Sequence, residues 1–197
     1  MLSRVEGNIG SLGGNDFGYN KLNHKQYLCD TTNNMSDPIK IWANPGEGYG
    51  TRFMWKYIDK KYLTDVSNYD HIFNTRKIML DKKGNALKTS GTANIIDSQP
   101  EILEKNSIGS VVLLVIPEKD DDYHLKLIQS MFKTRTFRFL MTLKQKDLYV
   151  RGFELIPDYT LFIDSLNGQL FTDEWCYKHF GFSDDLIKYI EDHVSSK

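Results

Sequence analysis

Ser110 to Ile116 reads SVVLLVI, a β-branched apolar run closed by Gly109 on one side and Pro117 on the other. A run of this length and composition, cut off by two chain breakers, predicts a short strand with both faces covered. It needs a sheet around it and something packed on that sheet. The surrounding sequence offers both. Pro38-Ile39-Lys40-Ile41-Trp42 alternates as a half-buried strand does, and further short strands are expected at Lys25 to Asp30, Arg52 to Tyr57, Ile72 to Met79 and Tyr149 to Ile156. Ala43 to Gly50 is a Gly/Pro loop, Asp81 to Asn85 a hairpin turn, and Lys88 to Ile96 a polar loop. Glu101 to Asn106 shows no period.

Helical signals concentrate after Pro117. Asp120 to Asp122 place acids where a helix dipole favours them, and Leu127, Ile128 and Met131 follow at helical spacing. Leu140 and Leu143 continue or restart that helix beyond Thr134 to Thr136. Pro157 ends the last strand, a Trp175-bearing turn follows, and Ser183 caps a terminal helix of about ten residues. Strands and helices without a βαβ repeat give an α+β fold. The expectation is one domain over residues 25–197, with a central mixed or antiparallel sheet and helices from the C-terminal half. Residues 1–24, Gly- and Asn-rich, read as a flexible lead-in.

The 197 residues suffice for one sizeable core, and 40% hydrophobic with 13% aromatic residues describes a folded chain. No apolar run is long enough to span a bilayer, and the N-terminus has no secretory core. Cys29 and Cys176 are too few and too far apart for a disulfide framework, so a reducing cytoplasm is expected. The net charge is −1, but it is unevenly placed. Lys133, Arg135, Arg138, Lys144 and Lys146 form a basic stretch without an acid, whereas Glu118 to Asp122 is acidic. A basic stripe on a near-neutral domain suits DNA binding assisted by a partner domain.

The residues bear on three chemistries. For methyl transfer, the nearest text to an adenine-binding tetrapeptide is Asn44-Pro45-Gly46-Glu47, which lacks the second proline and the aromatic that a flipped base stacks on. For a metal-dependent nuclease, Asp158, Asp164, Asp121 and Lys126 are the acids and lysine in view, though Asp158 equally suits a turn. For DNA recognition, Glu47, Tyr49, Arg52, Trp55, Lys56 and Tyr57 mix long polar and aromatic side chains after a Gly loop. Arg76, Lys88, Thr89 and Ser90 form a second candidate surface, and Lys133, Arg135, Arg138 and Lys144 a helix face suited to phosphates. The aromatic segment Phe171 to Phe182 is expected to pin the tail onto the fold.

Arg138 to Leu140, Phe153 to Asp158 (FELIPD), Thr172-Asp173-Glu174, Tyr177, Phe180 to Phe182, Ile190 and Glu191 occur here in an order that resembles the C-terminal end of the adenine-specific DNA methyltransferases of type II restriction–modification systems. The likeness is greatest to those in which nuclease, methyltransferase and target-recognition domain share one polypeptide. It is looser over residues 39–117. The resemblance implies a target-recognition domain that selects a short duplex sequence and holds it for a catalytic methyltransferase domain or subunit absent from this chain. The chain would itself need no cofactor. Its parent would use S-adenosylmethionine, and magnesium if a nuclease is fused to it. Two alternatives remain open: a small metal-dependent nuclease around Asp158, and a protein-interaction module that docks a partner subunit through its aromatic tail.

Overall fold

The computed structural model describes residues 27–43, 54–63, 70–81, 99–109, 112–143 and 155–194. The predicted lead-in, the Gly46 to Gly50 loop, the 81–85 hairpin turn, the Lys88 to Ile96 loop and most of the 149–156 strand lie outside these residues. Contacts gather into two compact units, one comprising residues 4–79 and 102–116, the other mainly 80–101 and 117–197. Strands dominate the first and helices the second, which is the expected α+β class with helices from the C-terminal half.

In the strand-rich unit, β1 (Pro38–Ala43) lies antiparallel to β2 (Met54–Asp59), from Pro38 opposite Asp59 to Ala43 opposite Met54. Its period of two sends Ile39, Ile41 and Ala43 inward, where all are buried. A one-turn helix, α1 (Asp70–Phe73), buries Ile72 and Phe73. Residues 72–79 are therefore not the continuous strand the sequence suggests. The chain breaks at Asn74-Thr75, and β3 runs Lys77–Asp81. Lys77 is fully buried, and its Nζ donates to the carbonyls of Ile72 (2.6 Å) and Thr75 (3.0 Å), closing the end of α1.

Glu101–Leu103 forms β4 despite its lack of period, because backbone pairing and not side-chain alternation holds so short a strand. Asn106, at φ +54°, turns the chain into β5 (Ser107–Gly109), which pairs parallel with β1. The described strands form two three-stranded sheets, β2-β1-β5 and β4-β3-β6. β6 (Val112–Val115) is the SVVLLVI strand. Adjacent Leu114 and Val115 are both buried, so both its faces are covered, yet β3 holds the middle of that sheet. The core joins Ile39, Ile41, Ile58, Phe73, Met79 and Leu114.

In the helical unit, Asp121 accepts from His124 N (2.8 Å) and starts α2 (Asp122–Lys133), whose Leu125, Leu127, Ile128, Met131 and Phe132 are buried. Thr134, in extended conformation, ends α2 and caps α3 (Arg135–Thr142), so the helix restarts rather than continues. Leu155 lies in a 3-10 turn and Ile156 in a bend, not in a strand. A 3-10 turn (Tyr159–Phe162) leads into α4 (Ile163–Leu166), which Asn167 and Gly168 end in left-handed conformations. The stretch around Trp175 is a helix, α5 (Asp173–Phe180), capped by Thr172 and stopped by Gly181 at φ +64°. Ser183 caps α6 (Asp184–His193) as expected. Phe171, Trp175 and Phe180 meet Phe162 edge to face, with centroids 5.7 Å apart for Phe162–Phe171 and 5.8 Å for Phe162–Phe180, and Phe137 packs on Phe162 at a tilt of 59°.

Candidate nucleic-acid interface

The alternation that buries Ile39, Ile41 and Ala43 turns Lys40 and Trp42 to the other face of the β1–β2 ribbon. The antiparallel register sets Tyr57 opposite Lys40, and Trp55 opposite Trp42. The two tryptophan rings are 5.3 Å apart and tilted by 59°. The Lys40 ammonium stands 4.6 Å from the centre of the Trp55 ring, as a cation–π pair does. Lys40 is exposed, and Trp42, Trp55 and Tyr57 are half-buried. Two large rings that are each held on one side, next to an exposed ammonium, make a rigid surface for flat or anionic groups.

Lys56 lies on the opposite register, across from Ile41. Its side chain, 15% exposed, runs along apolar surface and brings the ammonium out to the Asp30 carboxylate, which is 81% exposed. Residues 27–30 lie along the edge of β2. Cys29 N donates to Tyr57 O at 2.9 Å and Tyr57 N to Cys29 O at 2.8 Å. The Tyr27 ring stacks on Tyr62, 3.9 Å between centroids.

At the end of β2, Asp59 is 2% exposed. Its carboxylate accepts from Ser36 N (2.8 Å), Ser36 Oγ (3.1 Å) and Lys61 N (3.2 Å). These bonds, that from Ser36 N foremost, hold its carboxyl below the ordinary value against the opposing effect of burial. Its role is to cap the 3-10 turn Lys60–Tyr62. That turn presents Lys60, 5.4 Å from the Phe73 ring and paired with Asp70 at 3.1 Å, and the exposed Lys61, 5.1 Å from the Tyr62 ring.

Trp55 and Tyr57 thus share one face with Lys40 and Trp42, Lys56 stands on the other, and Lys60 and Lys61 follow at the end of β2. Sequence reasoning missed Lys40, Trp42, Lys60 and Lys61. The signal for the first two was the strand alternation at 39–43, which already separates Lys40 and Trp42 from the buried set. Glu47, Tyr49, Arg52 and Lys88 lie outside the described residues. Arg76 is half-buried just before β3.

The basic helix face in the helical unit has a different use. Lys133 is half-buried at the end of α2. Arg135 binds Asp173 twice, through its backbone N (2.6 Å) and its Nη1 (3.3 Å), and donates from Nε to Val194 O (3.1 Å). It fastens α3 to α5 and to the end of α6. Arg138 is fully buried, so its guanidinium is not presented to a phosphate; a charged residue at this point of the helix faces inward with Phe137 and Met141. Asp173 is 14% exposed, and burial raises its carboxyl above the ordinary range even though Arg135 lies beside it.

The acids weighed for a nuclease are engaged locally. Asp158 Oδ1 accepts from Thr160 N (3.1 Å) and Thr160 Oγ1 (2.8 Å), capping the 3-10 turn. Asp121 takes both its cap bond and the His124 Nδ1 contacts at 2.8 and 2.9 Å. Among the described residues, no three His, Cys, Asp or Glu side chains converge to hold a metal ion, and no helix is long and apolar enough to cross a membrane. Compared with known proteins, the chain matches no family model, no curated protein and no solved structure.

Proposed function

We propose that this chain is a sequence-specific DNA-recognition module of a restriction–modification adenine methyltransferase, and that it positions duplex DNA for a catalytic domain outside these residues, in the cytoplasm. One observation carries the reading: the β1–β2 face on which Lys40, Trp42, Trp55 and Tyr57 stand together. Exposed ammonium groups supply phosphate contact, and the half-buried aromatic rings supply apolar contact with sugars and thymine methyls. The resemblance of residues 138–191 to target-recognition domains supports the same reading. On this view the phosphate contacts lie on Lys40 and Lys61, while Arg135 and Arg138 serve the fold.

The test is selection of the purified chain from a pool of random duplexes at low and moderate salt, with sequencing of what is retained. An enriched short motif is expected, lost in Lys40→Ala, with affinity falling steeply as salt rises. Duplex binding is also expected to quench the emission of a Trp175→Phe variant, which keeps only Trp42 and Trp55. No retention at either salt would overturn the reading. It would favour the partner-docking alternative, for which the 73% exposed Leu161 and 40% exposed Leu170, flanking the aromatic cluster, are the supporting observation.

A further inference from the structure

In the helical unit, α3 and α6 meet at an aromatic contact that stays half in solvent. The Phe139 and Tyr189 rings stand edge to face with centroids 6.2 Å apart, and Tyr189 also stacks on His193 at 4.3 Å. Tyr189 is nonetheless 51% exposed. Leu143, 56% exposed, ends α3 in right-handed helical conformation one turn beyond Phe139, so it continues the same face. An apolar seam therefore runs along the junction of two helices, a surface on which a third helix can pack. The Leu161 and Leu170 patch is a different place: Phe137, which packs on Phe162, lies on the other side of α3 from Phe139.

The rim of the seam is acidic. α6 carries Asp184, Asp185, Glu191 and Asp192, all exposed, against one lysine, Lys188. Helical spacing places Asp185 and Asp192 one turn to either side of Tyr189. Among the described residues none of the four carboxylates forms an ion pair, although Lys188 lies within helical reach of them. Asp184 and Asp185 suit the first turn, where the helix dipole favours an acid. Glu191 and Asp192 lie in the last turn, where the dipole disfavours one. α6 itself gains nothing from charge at that end, whereas a cation arriving from outside relieves it.

We propose that the α3–α6 seam docks a basic amphipathic helix of a partner protein. Its apolar side chains seat on Tyr189 and Leu143, and its lysines or arginines reach Asp185 and Asp192. Charge decides among occupants: an acidic rim without ion pairs repels nucleic acid and anionic lipid, and attracts a helix with basic flanks. This stands independently of the DNA-recognition reading.

The test uses the full chain and three labelled synthetic peptides, read by fluorescence anisotropy over a range of salt. One is a helix with a leucine stripe flanked by lysines, the second has the same stripe flanked by glutamates, and the third has the lysines with its leucines scattered. Only the first is expected to bind. Leu143→Ser should weaken it roughly 5-fold, the scale of burying half a leucine. Asp185→Asn combined with Asp192→Asn should weaken it about 2- to 30-fold at low salt, the scale of two exposed ion pairs, and flatten its salt dependence. Leu161→Ser should bind as wild type. Equal binding of either control peptide overturns the proposal, as does binding of none, or a loss that follows Leu161→Ser and not Leu143→Ser. A wild-type dimer in sedimentation that Leu143→Ser dissociates would assign the seam to a second copy and overturn it too. Asp192→Asn is expected to melt no lower than wild type, because it removes an acid from the negative end of the dipole; a lower melting temperature would make Asp192 a residue of the fold and overturn its place in the rim.

Discussion

Arg135 and Asp173 show how a residue that looks like a surface cation comes to serve the fold. Arg135→Ala keeps the backbone bond to Asp173 but removes the two side-chain bonds, to Asp173 and to Val194 O, and is expected to lower stability by ~1.5–3 kcal/mol, the range for bonds to charged groups. Duplex affinity should be unchanged wherever the protein remains folded; a variant with wild-type stability and weakened DNA binding would show that Arg135 touches phosphate after all. The acid limb of stability follows from three carboxylates. Asp59 and Asp121 are held below the ordinary value by bonds from Ser36 N and His124 N respectively. Their contribution is present above an unfolded value of about 4 and lost as pH falls through the lower folded values. Asp173 runs the opposite way: burial raises it, so its contribution is full below about 4 and fades as pH rises through its folded value. Urea midpoints should therefore fall below pH 4, and Asp121→Asn should flatten that fall; an unchanged acid limb in this variant would refute the assignment. The two thiols differ as sharply. Burial pushes Cys176 up to about 12, while Cys29 is exposed. In the native protein a disulfide reagent is expected to titrate Cys29 alone, and Cys176 only after denaturant is added.

The elements were legible to differing degrees, for physical reasons. The alternation at Ile39 to Trp42 marked β1, and the acids before Tyr123 and the Ser183 cap marked the starts of α2 and α6, because caps and periods are local signals. β4 was invisible, since three residues carry no period. The aromatics and Gly181 make α5 look like a turn in sequence, though Thr172 followed by Asp173-Glu174 is a helix start and Gly181 its stop. The buried guanidinium of Arg138 could not be foreseen either, because only the packing of α3 decides which side of an eight-residue helix faces inward. In the candidate site, the Trp55–Lys56–Tyr57 run was visible as composition, but its division between two faces depends on register with β1. Cap removal tests the helical unit directly. Ser183→Ala should cost ~1 kcal/mol. Gly181→Ala should also destabilise, by about 1 kcal/mol, because φ +64° penalises a Cβ even though nothing crowds it. A neutral Gly181→Ala would show that α5 ends differently.

At the scale of the whole chain, the near-zero net charge means that the proposed DNA affinity would not come from a general field. It would come from local cations, Lys40 and Lys61 among the described residues, so the salt slope of binding should be modest in number of contacts. The division into two units also has a consequence in time. β5 pairs with β1 across more than sixty residues of chain, and β6 joins β3 last, so the strand-rich unit is complete once Ile116 has been made. At ~5–20 residues per second, the 81 residues that follow Ile116 take roughly 4–16 s to synthesise. The face carrying Lys40, Trp42 and Trp55 is therefore fully encoded while the helices from Asp122 onward are still being added.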